Sequence, residues 1–310
     1  MSKLKIRLLA VAIFFGIGCS MAQKKAQEEP DFLSRIFKND PAYLFCYSTP
    51  QSKGLVFNYS FDGLLWKKVG NGATYFKPGS DVGGSFIDPS IVRGPDGMFH
   101  LVWATDSTKG SIGYACSSDL TTWTKEKMLT VTSGAAQAPE LFYHSASKQF
   151  FLLWASASNT LYYTTTKDFV TFQPTKPFYE ASYTVSDPFV FKKSGSYHLF
   201  FKNDNSLPLE KNIRMVSSLN IKKFRANAVE PLTGIEPSKG PSVLKIGKYI
   251  YLYYTNYNTN TYRAMRCKSL SDPQWEDATP YMTFPSGNAQ GTVFNVDDKT
   301  LHDLQSFLKK

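Results

Sequence analysis

Two apolar segments around a Gly-, Ser- or Asp-bearing turn recur along this chain at a step of about fifty residues, a spacing that marks stacked blades or coils and not a layered domain. The copies read "FIDPSIVRGPDGMFHLVWAT" from Phe86, "APELFYHSASKQFFLLWAS" from Ala138, "SDPFVFKKSGSYHLFFKND" from Ser186 and "KGPSVLKIGKYIYLYYTNY" from Lys239. Each is followed by a third strand and an aromatic-tipped fourth: "SIGYACSSDLTTW", "TLYYTTTKDFVTF", "NIRMVSSLNIKKF" and "TYRAMRCKSLSDPQW". Four short strands per repeat is the pattern of a propeller blade.

The two ends of the repeat supply one more blade. "AYLFCYS" and "GLVFNYSFDGLLW" read as second, third and fourth strands without a first, and "GTVFNV" from Gly291 reads as a first strand without the others. Joining them removes the unpaired edges of an open array. The fold class expected is therefore all-β, a five-bladed β-propeller whose fifth blade is closed by N-terminal strands plus a C-terminal inner strand. Inner strands should begin near Asp88, Ala138, Asp187, Gly240 and Gly291. With 42% hydrophobic and 15% aromatic residues in 310, the chain can fill such a ring, and the unbroken repeat makes residues 42–298 one domain.

The flanks read differently. Lys3, Lys5 and Arg7 precede an apolar run from Leu8, and Ser20-Met21-Ala22 gives a small-x-small cleavage site. Residues 1–22 are thus a secretory signal peptide, too short for a mature membrane anchor, and the protein is expected in the periplasm or secreted. Cys19 offers an alternative, an outer-membrane lipoprotein anchor, although Gly16 stands where such sites usually carry Leu. Residues 23–41 form a polar tether. Residues 299–310 form a short helix, with Leu301, Leu304 and Leu308 at helical spacing.

Losing Lys3, Lys5 and Arg7 with the leader lowers the formal charge from +10 to +7. The remaining basic residues are scattered pairs, as in Lys67-Lys68 and Lys192-Lys193, which argues against nucleic acid and leaves attraction to acidic glycans open. Cys46, Cys116 and Cys267 fall singly in strands of different blades, the placement of buried small hydrophobes, and no Cys or His spacing suits a metal. A monomer is expected.

The Asp-Pro of the first repeat acquires meaning from the ring. A Pro at the head of an innermost strand removes no ladder hydrogen bond. Asp88, the Gln137–Glu140 segment, Asp187 and Lys239 then occupy matching strand heads at one mouth of the channel, where burial and mutual charge perturb ionisation. Trp103, Trp154 and Tyr253 are candidate sugar-stacking rings, with blade-to-blade packing as their competing role.

Five blades, an Asp-Pro-Ser opening the first, "APELF" in the second and Ser-Asp-Pro in the third resemble glycoside hydrolase family 43, five-bladed enzymes that trim arabinose, xylose or galactose units from plant polysaccharides. The resemblance covers nearly all of the mature chain. It implies an oligosaccharide or polysaccharide partner and inverting hydrolysis, with Asp88 as general base and Asp187 as the carboxylate that tunes the acid. Glu140, Gln137, Lys239 and Trp103 become substrate-binding candidates. Where the family carries its acid in Glu-Gly-Pro, this chain has Lys239-Gly240-Pro241. Glu236, three positions earlier, is the replacement acid to consider, and a non-catalytic glycan-binding propeller is the alternative reading. No metal ligand is assigned: Ala289-Gln290 stand where relatives place a His near an axial ion, so the channel would hold a calcium ion or water without a dedicated ligand, and no cofactor is required.

Overall fold

In a computed structural model, the described residues are 41–307 except 50, 83, 106–109, 133, 208, 226–229, 235 and 288–289. The leader with Cys19, the tether to residue 40 and residues 308–310 lie outside them. The described residues form five antiparallel sheets. The first blade runs Ile87–Arg93, Phe99–Ala104, Ser111–Ser117, Trp123–Thr130; the second Gln137–His144, Gln149–Ala155, Thr160–Thr166, Lys176–Glu180. The third is Val185–Lys193, Ser196–Asn203, Asn212–Ser218, and the fourth Ser238–Ile246, Tyr249–Asn256, Thr261–Cys267, Glu276–Asp277. In the fifth, Gly291–Val296 pairs with Ala42–Tyr47, setting Gly291 opposite Tyr47 and Val296 opposite Ala42, and Val56–Ser60 and Lys67–Lys68 follow outward. Each inner strand touches those of the two adjacent blades, and that of the fifth touches both the fourth and the first, so the ring closes.

One expectation fails. The third blade has three strands among the described residues, because after Ser218 the chain turns through Asn220 and instead returns at Leu232 and Thr233, which bond to Ile213 on the outer strand.

Alternation along the second strands builds the core. Leu101 and Trp103 face the fifth blade while Val102 faces the second; Phe151 and Leu153 face the third blade while Leu152 and Trp154 face the first. Phe200 and Leu252 meet between the third and fourth blades, and Phe45, Trp66 and Tyr253 between the fourth and fifth. A period of two thus presents one apolar face to each neighbour, and each junction has its own cluster. The turn from third to fourth strand is also repeated. Ser117 Oγ accepts from Leu120 N–H at 2.8 Å, Asp119 accepts from Thr121 and Thr122, and Trp123 Nε1 donates to Leu120 O. Ser60, Asp62 and Trp66 do the same in the fifth blade, and Thr166 and Asp168 in the second. This is why the first, second and fifth blades carry an Asp followed by an aromatic at this turn.

Helix Asp298–Ser306 closes the described chain, capped by Asp297, which accepts from Thr300 N–H at 2.7 Å; it lays Leu301 and Leu304 on the first cluster. No helix among the described residues is long and apolar enough to cross a membrane.

Trp103 is fully buried against Phe76 and Phe86, each with ring centroids 5.3 Å away. Its indole fills the space over Gly113, where a Cβ would stand 2.0 Å from the ring. Gly113→Ala is expected to destabilise the ring by about 2 kcal/mol or more, the range of overpacked cores, with partial recovery in Gly113→Ala/Trp103→Phe. Chemical denaturation measures both; an unchanged single variant would contradict this packing.

Candidate functional site

The mouth of the channel is built by one backbone device used four times. Ile87 pairs with Ala104 but the next pair is Ser90 with Val102, so Asp88 and Pro89 stand opposite a single residue. The same bulge separates Gln137 from Glu140, Ser186 from Phe189 and Lys239 from Ser242. Its first residue is left-handed each time: Asp88 at φ 49°, Ala138 at 46°, Asp187 at 52° and Gly240 at 61°. Proline follows in every case, as Pro89, Pro139, Pro188 and Pro241. A left-handed turn inside a strand swings the residue off the pleat and toward the axis. Asp tolerates it better than most residues, Gly best.

This register corrects the alignment read from sequence. Gly240, not Lys239, is the counterpart of Asp88 and Asp187; Lys239 matches Ile87, Gln137 and Ser186, one residue earlier. Gly240 is required for a second reason, since a Cβ there would lie 2.4 Å from the Gln290 side chain.

Hydrogen bonds between neighbouring inner strands fix the mouth. Thr292 Oγ1 donates to Pro89 O at 3.2 Å, and Ser90 Oγ donates to Glu140 Oε2 at 2.7 Å while accepting from Leu141 N–H. Gly240 N–H donates to Asp187 Oδ2 at 2.9 Å, and Val293 N–H to Ser242 Oγ at 2.9 Å. Asp88, Glu140 and Asp187 line one small pocket together with the four prolines, Gly240 and Gln290.

The carboxyl groups do not behave alike. Burial, and then the charge of Asp187, push Asp88 up to about 7, against the opposing pull of Lys239 and Lys202. Burial pushes Glu140 up to about 8, with the Ser90 hydroxyl opposing. Both carboxyls are therefore held toward their protonated forms, Glu140 more than Asp88. Burial disfavours the Lys202 ammonium, but Asp187 and Asp204 outweigh it and raise its pKa; its Nζ lies 2.9 Å from Asp204 Oδ1. Among the described residues no group of three or more His, Cys, Asp or Glu converges on a metal position. Ala289 lies outside the described residues.

Other sequence candidates are placed away from the pocket. Trp103 is a core residue and not a sugar platform, because the blade junction encloses it completely. Trp154 is equally buried, and Tyr253 spends its hydroxyl on Gly63 O at 2.7 Å. Glu236 is exposed, pairs with Arg263 at 2.8 Å and with Asn256, and is not among the residues that line the pocket. Gln137 is half-buried on its strand, outside the residues that line the pocket. Sequence reasoning missed Ser90, Lys202 and Tyr257. Lys202 had a signal, a lone charge ending the apolar run "YHLFFKN" at the mouth end of a second strand.

Over residues 39–302 the sequence matches the family described as "Probable glycosyl hydrolase domain", a relative of glycoside hydrolase family 43. The chain belongs to this family. No curated protein matches its sequence. Solved structures share the propeller at low identity, which carries the fold alone. An endo-1,4-β-xylanase from Bacteroides thetaiotaomicron superposes with TM-score 0.60 at 13% identity over 82% of this chain and 94% of that one. A family 43 β-1,3-galactosidase gives 0.60 at 15%, over 78% and 58%. The catalytic domain of a Coprinopsis cinerea family 62 α-L-arabinofuranosidase gives 0.55 at 18%, over 70% and 76%.

The ionisation of Asp88 has a consequence for this family 43-related ring. Its carboxyl titrates near its ordinary 3.8 in the unfolded chain but near 7 in the fold. The folded state therefore keeps a proton that the unfolded chain releases, a stabilisation present in full below pH 3.8 and lost as pH rises to 7. Asp88→Asn is expected to raise the melting temperature by roughly 2–6 °C at pH 8.5 and by much less at pH 4. A difference independent of pH would contradict the raised ionisation of Asp88 at the mouth.

Proposed function

We propose that this chain is an exported glycoside hydrolase-type propeller that engages arabinose-, xylose- or galactose-containing plant glycans at the channel mouth. The observation that carries the reading is the convergence of Asp88, Glu140 and Asp187 on one pocket. The leader-like residues 1–22 support export, and the names of the structural neighbours support the sugar classes.

In this reading Asp88 is the general base. A pKa of about 7 suits a group that must take a proton from water near neutrality. Asp187 positions the head of the fourth inner strand through its bond to Gly240 N–H, and so sets where residue 239 stands. The site activates water but has no carboxylic acid at residue 239 to protonate the departing oxygen. Such assistance contributes about 10²–10⁴-fold. Turnover is then confined to substrates whose leaving group departs without a proton.

Lys239 favours a second reading, a glycan-binding ring without turnover, and one experiment separates them. Kinetics on aryl glycosides and on the matching oligosaccharides should show cleavage of the former, rising with pH through about 7. Lys239→Glu should raise oligosaccharide turnover by about 10²-fold or more and aryl turnover far less. Asp88→Asn should abolish both, because the base is needed in either case. Intact glycan binding with no cleavage of either substrate would decide for the second reading, and equal wild-type cleavage of both would show that another acid acts.

A further inference from the structure

Beside the pocket, three lysines from three segments gather on one tyrosine. The ammonium groups of Lys239, Lys211 and Lys202 lie 4.8, 5.0 and 5.5 Å from the ring centroid of Tyr257. Lys202 is next to last in the second strand of the third blade, Lys211 precedes that blade's outer strand, and Lys239 is second in the fourth blade's inner strand. Tyr257 is held over them by its backbone N–H, which donates to Pro237 O at 2.7 Å, and its side chain stays half exposed.

The three ammonium groups are not paired alike: Lys202 feels both Asp187 and Asp204. Asp204 accepts Lys202 at 2.9 Å and Lys211 at 3.6 Å, and it also accepts from Ser186 Oγ at 3.2 Å. Lys239 makes no ion pair among the described residues; it faces the Tyr257 ring and feels the field of Asp88. Lys202 is nearly enclosed, so its charge is poorly screened by water. The ring face attracts each cation and so offsets part of their repulsion, yet it supplies no negative charge. Lys239 thus has no ion-pair partner among the described residues, Lys211 shares Asp204 with Lys202, and both stay partly exposed beside the ring.

Resting on the reading of the mouth as a glycan site, we infer that its ligand is an acidic sugar, bearing a carboxylate or a sulfate ester that Lys239 and Lys211 clamp beside Tyr257. On this account Lys239 is a recognition group that took the position of an acid, not a residue left by decay. The anion would accept charge-assisted hydrogen bonds from both ammonium groups, and the neutral part of the glycan would extend toward Asp88 and Asp187.

The test is calorimetry on the mature chain with length-matched oligosaccharides in three arms: neutral, uronate-bearing and sulfated. At low salt an acidic arm should bind about tenfold or more tighter than the neutral one, as a charge-assisted pair supplies. The advantage should shrink as salt rises. It should fall to under about threefold in Lys211→Gln/Lys239→Gln, and Lys211→Arg, which keeps the charge, should retain most of it. A tenfold advantage in either acidic arm supports the inference, and the tighter arm names the anion. Neutral and acidic glycans binding equally well would overturn this inference and leave the proposed function standing, whereas no binding in any arm would overturn both.

Discussion

A left-handed residue followed by proline, set as a bulge at the head of an inner strand, is the constraint on which the mouth of this ring depends. It appears in four blades, at Asp88, Ala138, Asp187 and Gly240. Its cost is local strain at three non-glycine positions, of order 1 kcal/mol or more each, which persists only where the surroundings fix it. Here they do: the ladder resumes two residues later, and Thr292, Ser90, Asp187 and Ser242 tie one inner strand to the next. The same device that bends the strand delivers Asp88 and Asp187 to the axis. Fold and site are thus one piece of backbone geometry.

Gathering carboxyl groups this closely forces their ionisation apart. Asp88 and Glu140 are both pushed upward by burial, Asp88 further by its neighbour Asp187, while lysines enter from the third and fourth blades to oppose the excess negative field. Lys202 is the clearest case, an enclosed ammonium between Asp187 and Asp204. The site therefore holds cations and acids side by side in a setting where each charge is worth more than it would be in water. A sugar hydroxyl, a water molecule or an anion entering there meets fixed donors and acceptors.

The architecture was legible in the sequence because the blades repeat signals of fixed physical origin: a Pro at four of the five inner-strand heads, period-two apolar alternation, and in the first, second and fifth blades an Asp-to-aromatic turn that bonds its own backbone. The split fifth blade was legible because "GTVFNV" and "AYLFCYS" each lacked what the other had. Asp88 and Asp187 could be found because they precede Pro in the repeated phrase. The one-residue offset of Lys239 could not, since a bulge changes register without changing spacing, and Gly240 does not advertise that it stands in for Asp. Trp103 had two open roles because an aromatic on a second strand can face the channel or the next blade, and only the ring at Gly113 decides. The lysines around Tyr257 come from residues 202, 211 and 239, and no linear pattern joins them.

The central claim is that the bulge brings the Asp88 carboxyl into the channel mouth beside Asp187, and carbon-13 NMR of the aspartate carboxyl groups across pH tests it most directly. The account predicts one aspartate resonance with its midpoint near pH 7, absent from the Asp88→Asn spectrum. If every aspartate carboxyl titrates below about pH 5, the range of groups in open water, Asp88 does not stand where this geometry puts it.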